Sequence, residues 1–276
     1  MGDPFSRITL ADGTQVSYIK GSGVEIKKEK DGSYSIFNSN STTTITGSKD
    51  GSNINIFGGS GATFVGNGEG NDNVKLINTE KAKVYGNNGN DKISVFGGKD
   101  NNVNGGNGND RIYNSSNNAS IDGGWGNDAI FSRGMNNNVQ GGNGNDRMSV
   151  FGNGNRVDGG WGNDAIFSRG MNNNVQGGNG NDRMSVFGNG NRVDGGWGND
   201  AIFSRGNYNK IEGGWGNDRI SSFGFGNQNF GGPGFDMVNG NHHNFGPHHH
   251  HGPHNYHGPH NHHGPHHRPH GGFFGG

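Results

Sequence analysis

From residue 70 to 240 apolar residues arrive singly, every nine or ten positions, in a background of Gly and Asn. One set is Val74, Ile93, Ile112, Ile130, Met148, Ile166, Met184, Ile202, Ile220 and Val238. The second set falls between them: Val84, Val103, Ile121, Val139, Val157, Val175, Val193 and Ile211. An amphipathic helix needs an apolar residue every three or four positions, so this beat excludes helices. It suits short strands joined by tight turns and wound as an all-β solenoid. Each coil of ~18 residues would hold two strands and two turns, with parallel neighbours ~4.8 Å apart.

The repeat is literal in places. Residues 123–158 read GGWGNDAIFSRGMNNNVQGGNGNDRMSVFGNGNRVD, and residues 159–194 are the same 36 residues again. Each 36-mer divides into two 18-mers and each 18-mer into two nonapeptides. The Asp of the GGxGND turn forms a ladder: Asp72, Asp91, Asp110, Asp128, Asp146, Asp164, Asp182, Asp200, Asp218 and Asp236. Its first two steps are 19 residues and the remaining seven are 18. Upstream the Asp is missing, yet Ile26, Ile36, Ile45, Ile54 and Phe64 keep the nine-to-ten beat. The expected organisation is an N-terminal cap over 1–20, degenerate coils over 21–70, full repeats over 71–240 and a Gly/Pro/His-rich tail over 241–276.

Composition narrows the picture. Gly and Asn together occupy 105 of 276 positions, and hydrophobic residues only 26%, against about 45–50% in ordinary domains. A thick core of packed layers is excluded. The 22 Lys and Arg nearly balance the 23 Asp and Glu, which argues against nucleic acid as a partner. No apolar run is long enough for a membrane helix. Residues 1–5 (MGDPF) do not open a cleavable signal peptide. Cys is absent, so neither disulfides nor thiolate chemistry is available.

The ladder carries the chemistry. Ten carboxylates ~4.8 Å apart repel by about 1 kcal/mol per neighbouring pair in water and by about 3–4 at an effective dielectric of 20. A divalent cation between turns reverses the sign. Hard oxygen ligands suit Ca²⁺ over Zn²⁺. With about one Asp per ion, affinity should be weak, on the order of 10⁻⁴–10⁻³ M. Each 36-mer offers four aliphatics and two Phe (Phe131 and Phe151 in the first) for burial, so the apo repeat is expected to be largely unfolded and folding coupled to metal. The alternative is that Asn-Gly and Asn-Asp are merely good turns, with Asp as a local cap.

The run G-G-x-G-x-D-x-U-x, with U aliphatic, resembles the calcium-binding nonapeptide of the RTX (repeats-in-toxin) family over roughly residues 66–240. The resemblance implies a parallel β-roll and Ca²⁺ held by the ten ladder Asp plus turn carbonyls. It also implies a protein exported by a type I system, hence extracellular. The chain departs from the family in one respect. The family carries the full motif at both turns of a coil. Here the second turn has Asn137, Asn155, Asn173 or Asn191 in place of Asp. That implies one ion column and an ion-free Asn edge, a pattern similar to the ice-binding repeats of some bacterial adhesins.

Other features are secondary. Trp125, Trp161, Trp197 and Trp215 take the variable turn position, alternating with Asn143 and Asn179, and should face outward as contacts for a glycan or a neighbouring molecule. Arg156 beside Asp158-type residues should form solvated ion pairs of little worth. All 14 His lie beyond residue 241. His248, His251, His254, His257, His260, His263 and His266 fall every third residue, which in polyproline II makes one imidazole row for Zn²⁺, Ni²⁺ or Cu²⁺, or a proton switch. With no His before residue 242 and evenly spaced Asp, no catalytic constellation is expected. The expected role is a secreted calcium-binding structural, cell-surface or matrix component that self-associates. The alternatives are an ice-binding protein, a transition-metal-sequestering protein using the tail, and a calcium-dependent module of a sugar-modifying enzyme.

Overall fold

A computed structural model describes residues 3–240; the expected tail and its seven-His row lie outside them. The described chain is all-β. It forms two sheets of 13 strands each, and successive strands alternate between the sheets from Tyr34 onward. The expected solenoid of ~18-residue coils is what the strands build.

One coil shows how. After Asp128, strand Ala129–Arg133 runs in the second sheet; a turn through Asn137 leads to strand Asn138–Asn143 in the first sheet; the chain then turns to Asp146. Each strand pairs in parallel and in register with its equivalents one coil away, Ile130 with Met148 and Val139 with Val157. Side chains alternate across a strand, so Ile130 and Ser132 point in while Ala129, Phe131 and Arg133 point out. The interior is thin. Per coil it holds Ile or Met, Ser or Val, one aliphatic from the opposite strand, and a glycine. No larger residue fits the glycine position, because a Cβ on Gly141 would overlap both Asp146 and the next coil's backbone.

The N-terminal end differs from expectation. Strand β1 (Phe5–Thr9) pairs antiparallel with β2 (Gln15–Ile19), and β3 (Glu25–Lys28) pairs antiparallel with β4 (Tyr34–Phe37). β2 also meets β5 (Thr44–Thr46) antiparallel, so parallel winding begins only where β4 meets β6 (Asn53–Phe57) and β5 meets Thr63–Val65. Ile26 therefore sits in a capping hairpin, outside the coils expected to start at residue 21. The tight reversal at Glu29–Ser33, closed by the Glu29 amide donating to the Ser33 carbonyl at 2.8 Å, sends the chain back. A ten-residue spacing of Ile cannot distinguish a hairpin from a half-coil. The hairpins cover what would otherwise be an open sheet edge.

Phe131 and Phe151 are also not core residues. They lie half-buried on the outer face of the second sheet, in a zigzag ladder running from Phe96 through Tyr113 to Phe223. Ring centroids are 5.2–5.7 Å apart. Each such pair adds about 0.5–1.5 kcal/mol beyond its buried area, support that a thin interior needs. Among the described residues no helix is long and apolar enough to cross a membrane.

Candidate functional site

The turn before each second-sheet strand carries the Asp ladder. Asp72, Asp91, Asp110, Asp128, Asp146, Asp164, Asp182, Asp200 and Asp218 are all 1–2% exposed, facing into the solenoid edge. Asp236, in the last coil, is half-buried. Their placement follows from the two-residue alternation: Asp128, Ile130 and Ser132 share the inward side.

Each carboxylate uses its two oxygens differently. Oδ1 accepts the backbone N–H of the ladder Asp one coil earlier. The Asp128 amide donates to Asp146 at 2.7 Å and the Asp146 amide to Asp164 at 2.7 Å. The series runs unbroken from the Ser52 amide on Asp72 (2.6 Å) to the Asp218 amide on Asp236 (2.9 Å). Oδ2 is buried without a hydrogen-bond partner in Asp91, Asp110, Asp128, Asp146, Asp164, Asp182, Asp200 and Asp218. The first glycine of each motif shows what this atom faces. A Cβ built on Gly159 would overlap both Asp164 Oδ2 and the carbonyl oxygen of Gly177, and the same pair recurs from Gly86 to Gly213. In each coil Oδ2 and this carbonyl border the space that a side chain on the glycine would need; at Asp218 the carbonyl, that of Gly231, accepts the Gly214 amide at 3.1 Å, so Oδ2 alone lacks a partner there.

Burial pushes these carboxyls up, opposed by the amide each accepts and reinforced by neighbouring carboxylates. Asp91, Asp110, Asp146, Asp182 and Asp200 rise to about 6, and Asp128 and Asp164 to about 7. Asp72 also rises to about 6, with the Ser52 amide and hydroxyl opposing; Asp218 is raised as well. An orphaned, hard, anionic oxygen beside a carbonyl suits either a proton or a hard cation. The residues present a Ca²⁺ ion with donors of the right hardness, one ladder carboxylate oxygen and one strand carbonyl per coil, the remainder of its sphere falling to other oxygens. Among the described residues no three His, Cys, Asp or Glu side chains cluster for a metal, so carboxylates alone would not complete a coordination sphere.

The opposite edge repeats the geometry with an amide. Asn137, Asn155, Asn173 and Asn191 are buried, and each Oδ1 accepts the amide of the residue one coil earlier: Ala119 on Asn137, Asn137 on Asn155, Asn155 on Asn173 and Asn173 on Asn191, all at 2.8 Å. The Nδ2 groups of Asn137, Asn155 and Asn173 donate where Asp Oδ2 cannot, while that of Asn191 is buried without a partner. Asn137 reaches Ser132 Oγ at 3.2 Å and the Ser116 carbonyl at 3.1 Å; Asn155 reaches the Gly134 carbonyl at 3.1 Å. Sequence reasoning gave this edge no role beyond lacking ions.

Trp125, Trp161, Trp197 and Trp215 are exposed by 56–66%. Trp125 and Trp161 flank a shallow groove floored by Asn143, Gly142 and Gln140, while Trp197 and Trp215 stack on each other at 5.3 Å. The outer Asn rank from Asn109 to Asn217 spends its Oδ1 atoms on the next coil's amides, as with the Asn145 amide on Asn127 at 2.7 Å. Arg156 approaches Asp158 at 3.7 Å and Arg192 meets Glu212 at 2.7 Å, both pairs exposed or half-exposed. Comparison with known protein families, with curated proteins and with solved structures finds no match for this chain.

Proposed function

We propose that this chain is a calcium-dependent structural solenoid of the RTX type, acting outside the cell as a surface or matrix component. The observation that carries the reading is the row of eight buried Oδ2 atoms without hydrogen-bond partners, each facing a backbone carbonyl. A hard divalent cation supplies charge to both acceptors, and since the unfolded chain has no such column, binding stabilises the fold by mass action. About one ion per coil follows. The exposed Trp row, available to a glycan or a second rod, gives the solenoid a contact surface.

The test is circular dichroism of the full chain at neutral pH, titrated with Ca²⁺ and then with chelator, alongside calorimetric stoichiometry. Strand signal that appears with calcium at on the order of 10⁻⁴–10⁻³ M, at about one ion per coil, supports the reading. Strand signal indifferent to chelator overturns it.

A further inference from the structure

The near-neutral charge of the chain conceals a strong segregation. Ten of the 23 acidic residues are ladder Asp, nine of them buried at the solenoid edge. The outer face of the second sheet is the reverse. Its strands from Lys92–Phe96 to Arg219–Phe223 place Lys92, Arg111, Arg133, Arg147, Arg169, Arg183, Arg205 and Arg219 outward, with no Asp or Glu at an outward position. All are exposed. Among the described residues none of the six Arg from Arg133 to Arg219 takes part in an ion pair.

Their arrangement has a period. Register pairs Ala129, Arg147, Ala165, Arg183, Ala201 and Arg219 along one strand end, and Arg133, Phe151, Arg169, Phe187, Arg205 and Phe223 along the other. Each coil therefore offers one guanidinium, on alternate sides of the aromatic ridge, at ~4.8 Å per step. Against this face, single-stranded nucleic acid finds no open stacking platform, because the half-buried rings crowd one another at 5.3–5.5 Å with planes tilted by 35–43° and base recognition needs an open aromatic face. Its stacked rise of ~3.4 Å also misses the coil spacing.

We infer that this face binds an acidic polysaccharide, a β-1,4-linked chain with one carboxylate per sugar. Such a chain advances by about one coil spacing per residue and turns each sugar over relative to the last. Its carboxylates therefore alternate left and right as the arginines do. Guanidinium–carboxylate pairs form bidentate hydrogen bonds, and the partly exposed aromatic ridge meets the apolar C–H faces of the sugars. The inference concerns the sheet face and does not depend on what occupies the Asp column.

The test is fluorescence anisotropy with the full chain in calcium buffer, its fold checked by circular dichroism. The probe is a labelled six-sugar β-1,4-glucuronic acid oligomer, one sugar per coil of the arginine run. The uronate should bind at ~0.1 M salt and weaken at least tenfold at ~1 M, where the Debye length falls from about 10 to 3 Å. The neutral β-1,4-glucose oligomer of equal length should bind at least tenfold more weakly. The Arg133→Gln/Arg169→Gln/Arg205→Gln variant should lose at least tenfold, whereas Arg156→Gln/Arg192→Gln on the other sheet should retain binding. Equal binding of the neutral oligomer, equal loss in both variants, or tighter capture of single-stranded DNA or phosphatidylserine vesicles by the same arginines would overturn the inference.

Discussion

The two edges of one coil set the same backbone problem before side chains that differ by a single atom. At Asp164 and at Asn173 a buried Oδ1 accepts the amide of its equivalent one coil earlier, at 2.7 and 2.8 Å. The second atom separates them. Asn173 Nδ2 donates to Ser168 Oγ at 3.2 Å, so at this position the Asn edge closes its hydrogen bonds within the protein, although Asn191 Nδ2 one coil on does not. Asp164 Oδ2 closes nothing and faces the Gly177 carbonyl. A neutral ladder can meet its needs largely within the protein; a charged one of like geometry leaves an oxygen open to a proton or cation from solution. The difference teaches that the ladder itself is a backbone device, and that replacing NH₂ with O⁻ adds a buried charge at which the proposed calcium would act.

The largest expected effect comes from supplying that positive species as protons. A ladder carboxyl at about 6–7 when folded and near 3.8 when unfolded binds more protons in the folded state between those values. Stability of the cation-free chain must then fall as pH rises through that window and be greatest below it. In chelator, strand signal and melting temperature should be high at pH ~4.5 and collapse between ~5.5 and 7.5. In saturating Ca²⁺ the trend should invert, because protons compete for the same oxygens. Melting curves in both buffers check this; a chelated chain that is more stable at pH 8 than at pH 4.5 would contradict it.

Next in size is a change that makes the Asn edge resemble the Asp edge. Asn173→Asp removes the donor to Ser168 Oγ and buries a lone charge in a column of neutral Asn, with no neighbouring carboxylate to help hold a cation. It should cost about 3 kcal/mol or more at neutral pH, since a buried unsatisfied group costs about 1–3 kcal/mol and a charged one more, with most of the loss recovered near pH 4.5. Calcium should not restore it. Urea unfolding with and without Ca²⁺ measures both parts.

Much of this was legible in the sequence, because in a solenoid the repeat length is the coil length. The Asp and aliphatic spacing placed every coil from Asp72 onward. Parity along the strand also carried information that went unread. Phe131 and Phe151 stand three and five residues after an inward Asp, so they face out, while Ile130 and Ser132 stand two and four after it and face in. What spacing could not carry was direction, as at Ile26, where a hairpin and a half-coil share one beat. Nor could composition reveal the charge segregation. A near-zero sum is the same whether acids and bases intermingle or lie on opposite sides of a sheet.

The smallest expected effect sharpens the comparison from the other side. Asp164→Asn puts an amide where Oδ2 was, keeping Oδ1 in place for the Asp146 amide and giving the Gly177 carbonyl a donor. One buried carboxylate held at about 7 carries an ionisation penalty of roughly 4 kcal/mol, at 1.36 kcal/mol per pKa unit. Relaxation and the remaining ladder charges absorb part of this, so the apo chain should gain about 1–2 kcal/mol at neutral pH. The calcium-bound chain should gain nothing, and the stoichiometry should fall by about one ion. The variant thus narrows the gap between apo and holo stability from the apo side. If it instead destabilises both forms equally, the proposed calcium dependence does not rest on that one oxygen.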